Sequence, residues 1–200
     1  MDLIKIAMYC KTKRSERDVK EYKQNADTYE SVLTGEVTEF VIPESWTKIR
    51  QGLFNACRNL ASVTILNGVT SIEATAFSSC SSLKSIEIVD SITSIKSSAF
   101  YGCTSLINLT IPNTVITLGT TIFTNCTSLT NVILGNGFNC NNLDLSVSTK
   151  YSVDTLVAML TALADRTGQT AYTLTLGATN LAKLSDEQKA IATDKNWTLA

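Results

Sequence analysis

Apolar residues return along this chain at one fixed step. Phe54, Phe77, Phe100 and Phe123 are each 23 residues apart, and Cys57, Cys80, Cys103 and Cys126 keep the same step. Leu60, Leu83, Leu106 and Leu129 follow, then Val63, Ile86, Leu109 and Val132, and then Ile65, Ile88, Ile111 and Leu134. Two more columns, Ile49, Ile72, Ile95, Leu118 and Val69, Ile92, Val115, Phe138, complete the register over four units. Ile42, Pro43 and Trp46 fit one period earlier, so a partial first unit starts near Val37. Such self-similarity marks a unit that cannot bury its apolar face alone and stacks on its own copies.

Within a unit the alternation Leu-x-x-Val-x-Ile predicts a short strand with its apolar residues turned inwards. A second run, Val69 to Ile72 or Ile92 to Ile95, predicts another strand after a turn at Asn67-Gly68 or Pro112-Asn113. The Ala-Phe-x-x-Cys segments at 76–80 and 99–103 are expected to be helical turns that carry Phe and Cys to the core. Stacked strands lie about 4.8 Å apart.

The pattern changes at both ends. After residue 150, Ser152 is placed to cap a helix carrying Val153, Leu156, Val157, Leu160 and Leu163, with Gly168 as its stop. Thr173–Leu176 predicts a strand, Ser185 with Gln188 a capping box for a helix to about Lys195, and Trp197–Leu199 a last strand. Leu176 and Leu199 are again 23 residues apart, which predicts longer helical units that continue the sheet and close its open end. In the first 36 residues, seven basic and seven acidic side chains accompany an apolar stripe of Val19, Tyr22, Ala26, Tyr29 and Leu33. A helix of about 17 residues follows, with Ser15 as cap and Gly35 after it; it either covers the first repeat or forms a short coiled-coil or docking helix.

The units "AFSSCSSLKSIEIVDSITSI" and "AFYGCTSLINLTIPNTVITL" resemble the BspA-like leucine-rich repeats, whose units read roughly "AFxxCxxLxxIxIPxxVxxI". The resemblance covers about residues 37–138, and the tail is similar to a segment that closes such arrays in proteins of gut Firmicutes and their prophages. It implies an α/β solenoid: a right-handed leucine-rich-repeat array of 23-residue units with short parallel strands, a helical N-terminal segment and helical C-terminal capping units. The expected division is 1–36, 37–149 and 150–200. Members of the family are mostly bacterial surface or host-interaction proteins, so the resemblance implies binding rather than catalysis, at the cell surface or after secretion.

Charge and composition narrow the chemistry. Lys plus Arg number 17 and Asp plus Glu 18, so no basic excess is available to neutralise a nucleic-acid backbone. No stretch approaches the roughly 20 apolar residues of a membrane span, and the amino terminus, broken by Lys5 and followed by charges, does not read as a signal peptide. The chain has no histidine, which removes Ser-His-Asp, Cys-His and His-based metal sites. No catalytic residue, cofactor or metal is assigned. The four-cysteine column would place Cα atoms about 5 Å apart, within disulfide range. In-register side chains run parallel, however, and do not form a tetrahedral cage, so buried free thiols beside the phenylalanines are expected; Cys10 and Cys140 lie outside the column. Asp154, Asp186 and Glu187 fall in first turns of predicted helices, where they offset the helix dipole, and Gly135-Asn136-Gly137 reads as a turn. The columns Ser81, Thr104, Thr127 and Ser82, Ser105, Ser128 are expected to cap backbone groups, with an adhesive surface as the alternative.

With the apolar columns committed to stacking, the outward strand positions carry function. They run Ala61, Ser62, Thr64; Lys84, Ser85, Glu87; Ile107, Asn108, Thr110; Thr130, Asn131, Ile133. Lys84, Glu87, Ile107, Asn108, Thr110, Asn131 and Ile133 are the candidate partner-binding residues. This nearly neutral mixture of hydroxyl, amide and aliphatic groups suits a protein partner. A glycan is second, because the stacked aromatic platform of a carbohydrate binder is not evident. The function expected is a non-enzymatic, adhesin-like interaction module at a bacterial surface or in host contact. The alternatives are a structural or receptor-contacting component of a phage or prophage particle, and a carbohydrate-binding module.

Overall fold

The computed structural model describes residues 38–200; the helix expected before Gly35 lies outside them. Nine strands alternate between two parallel sheets. The first sheet is ordered β1 (Glu39–Val41), β3 (Ser62–Thr64), β5 (Ser85–Glu87), β7 (Asn108–Ile111) and β9 (Asn131–Leu134). The second contains β2 (Lys48–Ile49), β4 (Ser71–Ile72), β6 (Ser94–Ile95) and β8 (Thr117–Leu118). Register follows the sequence columns: Phe40 opposes Val63, Ile86 opposes Leu109, and Leu109 opposes Val132. A slip of one residue would turn each of these side chains to solvent, so the alternation of β9, exposed-buried-exposed-buried, locks the pairing.

Between the sheets run the phenylalanines. Phe54, Phe77, Phe100 and Phe123 stack with ring centroids 5.2, 5.3 and 5.6 Å apart and planes within 7° of parallel. Phe40 starts the column edge-on to Phe54 at 5.1 Å. The cysteines lie beside them, all buried, and three of them do more than fill a gap. The thiols of Cys80, Cys103 and Cys126 donate to the carbonyls of Phe54, Phe77 and Phe100, at 3.1, 3.2 and 3.1 Å. Each bond ties a unit to the one before it.

The Ala-Phe-x-x-Cys segments are turns rather than helical turns. Thr75, Ser98 and Thr121 have φ of 56°, 57° and 54°, and Ser79, Gly102 and Asn125 have 61°, 71° and 65°; a left-handed residue at each end of the turn interrupts any helix. Amide groups divide between two tasks. Ala76, Ser78 and Cys80 donate within their own turn, to Glu73, Thr75 and Phe77, whereas Thr75, Phe77 and Ser79 donate to Ser97, Ala99 and Tyr101 of the next unit. Hydroxyls add further ties between units, one from the expected capping columns and others outside them. Thr104 reaches the Ser81 carbonyl at 3.5 Å, Thr70 reaches that of Thr47 at 3.0 Å, and Ser91 that of Val69 at 2.7 Å.

The tail departs from expectation in three ways. First, the five-stranded sheet is not continued: the residues one period beyond β9 lie in α1 (Val153–Ala162), which packs against β9, while β10 (Leu143–Asp144), β11 (Tyr172–Thr175) and β12 (Trp197–Leu199) form a sheet of their own. Second, α1 is capped by Ser152, whose hydroxyl accepts from the Thr155 amide at 3.1 Å, but it ends before Leu163 rather than at Gly168. Leu163 turns extended to bridge Phe138, with Phe138 N donating to Ala162 O and Ala164 N to Phe138 O. Third, Leu199 pairs with Leu174, not Leu176, so this rung is 25 residues long. α2 (Ala178–Leu181) and α3 (Asp186–Thr193) lie in the loop it encloses, and Ser185 and Gln188 close the expected capping box at 3.2 and 2.9 Å. Lys195 then donates to the carbonyls of Thr161 at 2.7 Å and Leu163 at 3.0 Å, closing the C-terminal end of α1.

Candidate functional site

Three rows of side chains run across the outer face of the five-stranded sheet. The middle row is Glu39, Ser62, Ser85, Asn108 and Asn131. One residue before it lie Thr38, Ala61, Lys84, Ile107 and Thr130, each amide from Ala61 onward donating to the carbonyl of the residue before it in the row. Two residues after the middle row, Val41 pairs with Thr64, and Glu87 with Thr110 and Thr110 with Ile133. The structure therefore brings all seven candidate residues onto one surface. Lys84, Glu87, Ile107, Asn108, Asn131 and Ile133 are exposed, and Thr110 is half-buried. Neighbouring asparagines touch, Asn131 Nδ2 donating to Asn108 Oδ1 at 3.2 Å.

Val41, 58% exposed, is a large apolar group of this face that the sequence reading did not single out; Ile107 and Ile133 are 41% and 53% exposed. The signal was available. Val41 stands one period before Thr64, and the partial first unit continues the outward row. Apolar side chains thus occupy both ends of the third row, with Thr64, Glu87 and Thr110 between them.

The thiol column is closed to chemistry of this kind. Burial pushes Cys57 up to about 12. Cys103 is raised by its hydrogen bond with the Cys126 thiol and then by burial, so both stay neutral thiols rather than nucleophilic thiolates near pH 7. Among the described residues no group of three or more Cys, Asp or Glu side chains is arranged to hold a metal ion, and no helix is long and apolar enough to cross a membrane. Thiol reagents are expected to label Cys57, Cys80, Cys103 and Cys126 slowly in the folded protein and fully after denaturation; rapid labelling of all four in the native state would contradict the buried column. A raised folded-state pKa also sets a sign. An unfolded cysteine ionises near pH 8.5, so the stability these neutral thiols contribute is complete below that pH and declines as pH rises through 9 towards 12. Denaturation midpoints measured from pH 7 to 11 should fall only over the alkaline half.

A cleft of about 310 Å³ lies away from the strand face, between residues 118–123 at the end of the repeats and Asn142, Leu143, Asp144 and Thr175 of the tail.

The profile of the BspA type leucine rich repeat region matches residues 28–147 in six copies. No curated protein matches the chain. Among solved structures, a leucine rich repeat protein of T. pallidum is similar over 82% of this chain and 85% of its own, with 18% identity and a TM-score of 0.54. A leucine rich cell surface protein from Faecalibacterium prausnitzii matches 83% of this chain and 65% of its own at 19% identity and a TM-score of 0.32. A leucine-rich repeat protein from Bacteroides ovatus matches 68% of this chain and 49% of its own at 22% identity and a TM-score of 0.30.

Proposed function

The chain belongs to the BspA type leucine-rich repeat family, and on that premise we propose that it is a non-enzymatic, adhesin-like module that binds a protein partner through the outer face of its five-stranded sheet. Residues 37–149 act as the recognition array, a right-handed stack. Residues 150–200 cap it, with α1 covering the free edge of β9. The observation that carries this reading is the contrast between the two faces of each strand. Inward positions repeat as Phe40, Val63, Ile86, Leu109 and Val132, whereas the outward third row changes from Val41 through Thr64, Glu87 and Thr110 to Ile133. Variation on a rigid scaffold is how a repeat protein acquires a particular partner.

Size limits the affinity. Five short strands spaced about 4.8 Å apart give a face of roughly 250 Å², against about 800 Å² per partner in a stable interface. A partner that grips this face alone binds weakly and transiently. Immobilised extracellular-matrix proteins and glycans, screened with the intact protein, test the reading. A protein ligand should lose at least tenfold in affinity with Glu87→Lys combined with Ile107→Asp. Undiminished binding by the folded double variant would place the site elsewhere, and selective glycan capture would favour a carbohydrate-binding module.

A further inference from the structure

The turns of successive units form a ladder with a direction. Gly52, Phe54 and Ala56 donate to the carbonyls of Ala74, Ala76 and Ser78; Thr75, Phe77 and Ser79 to Ser97, Ala99 and Tyr101; and Ser98, Phe100 and Gly102 to Thr120, Ile122 and Thr124, all at 2.6–3.1 Å. In each rung the crossing amides point towards the carboxyl-terminal neighbour and the crossing carbonyls towards the amino-terminal one. An ordinary β-ladder alternates the two groups along each edge, whereas this stack ends in donors only. The last rung presents the amides of Thr121, Phe123 and Asn125, which have no acceptor among the described residues. No described tail segment takes the place of the next turn: β10 pairs with β11 and accepts none of these amides. The cleft of about 310 Å³ opens at this point, bounded by Thr121 and Phe123 on one side and by Asn142, Asp144 and Thr175 on the other.

We propose that this cleft is a second binding site, which takes a peptide segment of a partner protein and pairs its main-chain carbonyls with the amides of Thr121 and Phe123, adding one rung to the ladder. Two features choose the ligand. Every earlier rung is closed by carbonyls of alternate residues, so the donors are already set at the spacing of a peptide backbone. Asp144 lines the opposite wall, and its carboxylate disfavours a free anion where left-handed turns with convergent amides would otherwise attract one. The volume is at the lower end for ligand sites, about 300 Å³, which is room for a few residues of main chain. Capture there would supplement the small strand face with directional hydrogen bonds.

The test uses the intact protein labelled with nitrogen-15 and an acetylated, amidated peptide of residues 96–102 in which Phe100 is replaced by alanine, because the ring of Phe123 is already covered. This peptide carries the carbonyls of Ser97, Ala99 and Tyr101 that close an earlier rung. Saturable movement of the Thr121 and Phe123 amide signals, with a Kd below about 1 mM and with the strand-face signals still, is the expected result. Thr120→Trp, at an exposed position on the cleft wall, should weaken binding at least tenfold in a variant that stays folded, its unfolding midpoint lowered only by the loss of the exposed hydroxyl contact to Ser97. Amide exchange in the unaltered protein gives a second reading that needs no variant: Thr121 and Phe123 should exchange at least a hundredfold faster than Ser98 and Phe100. Absence of shifts at millimolar peptide, undiminished binding by folded Thr120→Trp, or slow exchange at Thr121 and Phe123 overturns the proposal. Movement of the same signals by sodium sulfate and not by the peptide also overturns it, and identifies an anion site.

Discussion

Replacing Phe100 with alanine is expected to remove about 3–5 kcal/mol of stability. Its ring is fully buried and sits between Phe77 at 5.3 Å and Phe123 at 5.6 Å, so truncation empties the middle of the aromatic column, leaves Phe123 without a stacking partner and strips Phe77 of one of its two. Offset stacking of this kind adds about 0.5–1.5 kcal/mol per pair beyond area burial, and two pairs are lost at once. The backbone at that position also accepts the Cys126 thiol and donates to Ile122, so the collapse that could refill the cavity is resisted by bonds to the next unit. Stability in a stack is held by nearest-neighbour interfaces. The variant should therefore unfold with a lower midpoint in chemical denaturant and with a broadened or divided transition, as units on either side of the gap lose their coupling. A midpoint unchanged within error would show that the column is not the core.

The core was legible because stacking reads the sequence one residue type at a time: whatever occupies the Phe column in one unit meets the same position in the next. Strand register came with it, since inward columns of Val, Ile and Leu admit one pairing. The turns were not legible. Their left-handed positions are filled by Gly52, Thr75, Ser98 and Thr121 in one row and by Ala56, Ser79, Gly102 and Asn125 in the other, and only glycine or asparagine carries a recognisable preference for that backbone. The tail misled for a different reason. The step from Leu176 to Leu199 matched the period by count, but Leu174 and Leu176 are both buried, so the pattern does not choose between them, and it is Leu174 that meets Leu199. The candidate face was found by subtraction, as what remained after the core columns were removed. Subtraction cannot reveal the unpaired amides at the last rung, because they belong to the main chain and depend on where the ladder stops.

Gly119 makes the same point at the level of one atom. Lys96 and Glu73 stand in its column one and two periods earlier, so the sequence suggests that any side chain is tolerated there. In the folded protein a Cβ on Gly119 would lie 2.2 Å from Ser97 N and 2.7 Å from both Lys96 C and Ser97 Cα. All three are main-chain atoms, and none can rotate away. The approach is set by the bond from Gly119 N to Ile95 O at 2.8 Å, and beside it Thr120 N and Oγ1 reach Ser97 Oγ at 3.3 and 3.4 Å, so relief requires the last two units to separate and break these contacts. Overpacking typically costs 1–3 kcal/mol and occasionally more; a clash confined to main chain places Gly119→Ala at the upper end, about 3 kcal/mol. Gly168→Ala is the control: nothing lies within 4 Å of its Cβ, but φ is +78°, so it carries the conformational cost alone, about 1 kcal/mol. The order of unfolding midpoints should be wild type, then Gly168→Ala, then Gly119→Ala. If Gly119→Ala proves as stable as the control, the close approach of these two units is not present in solution, and the tight packing of the last repeats on each other must be abandoned.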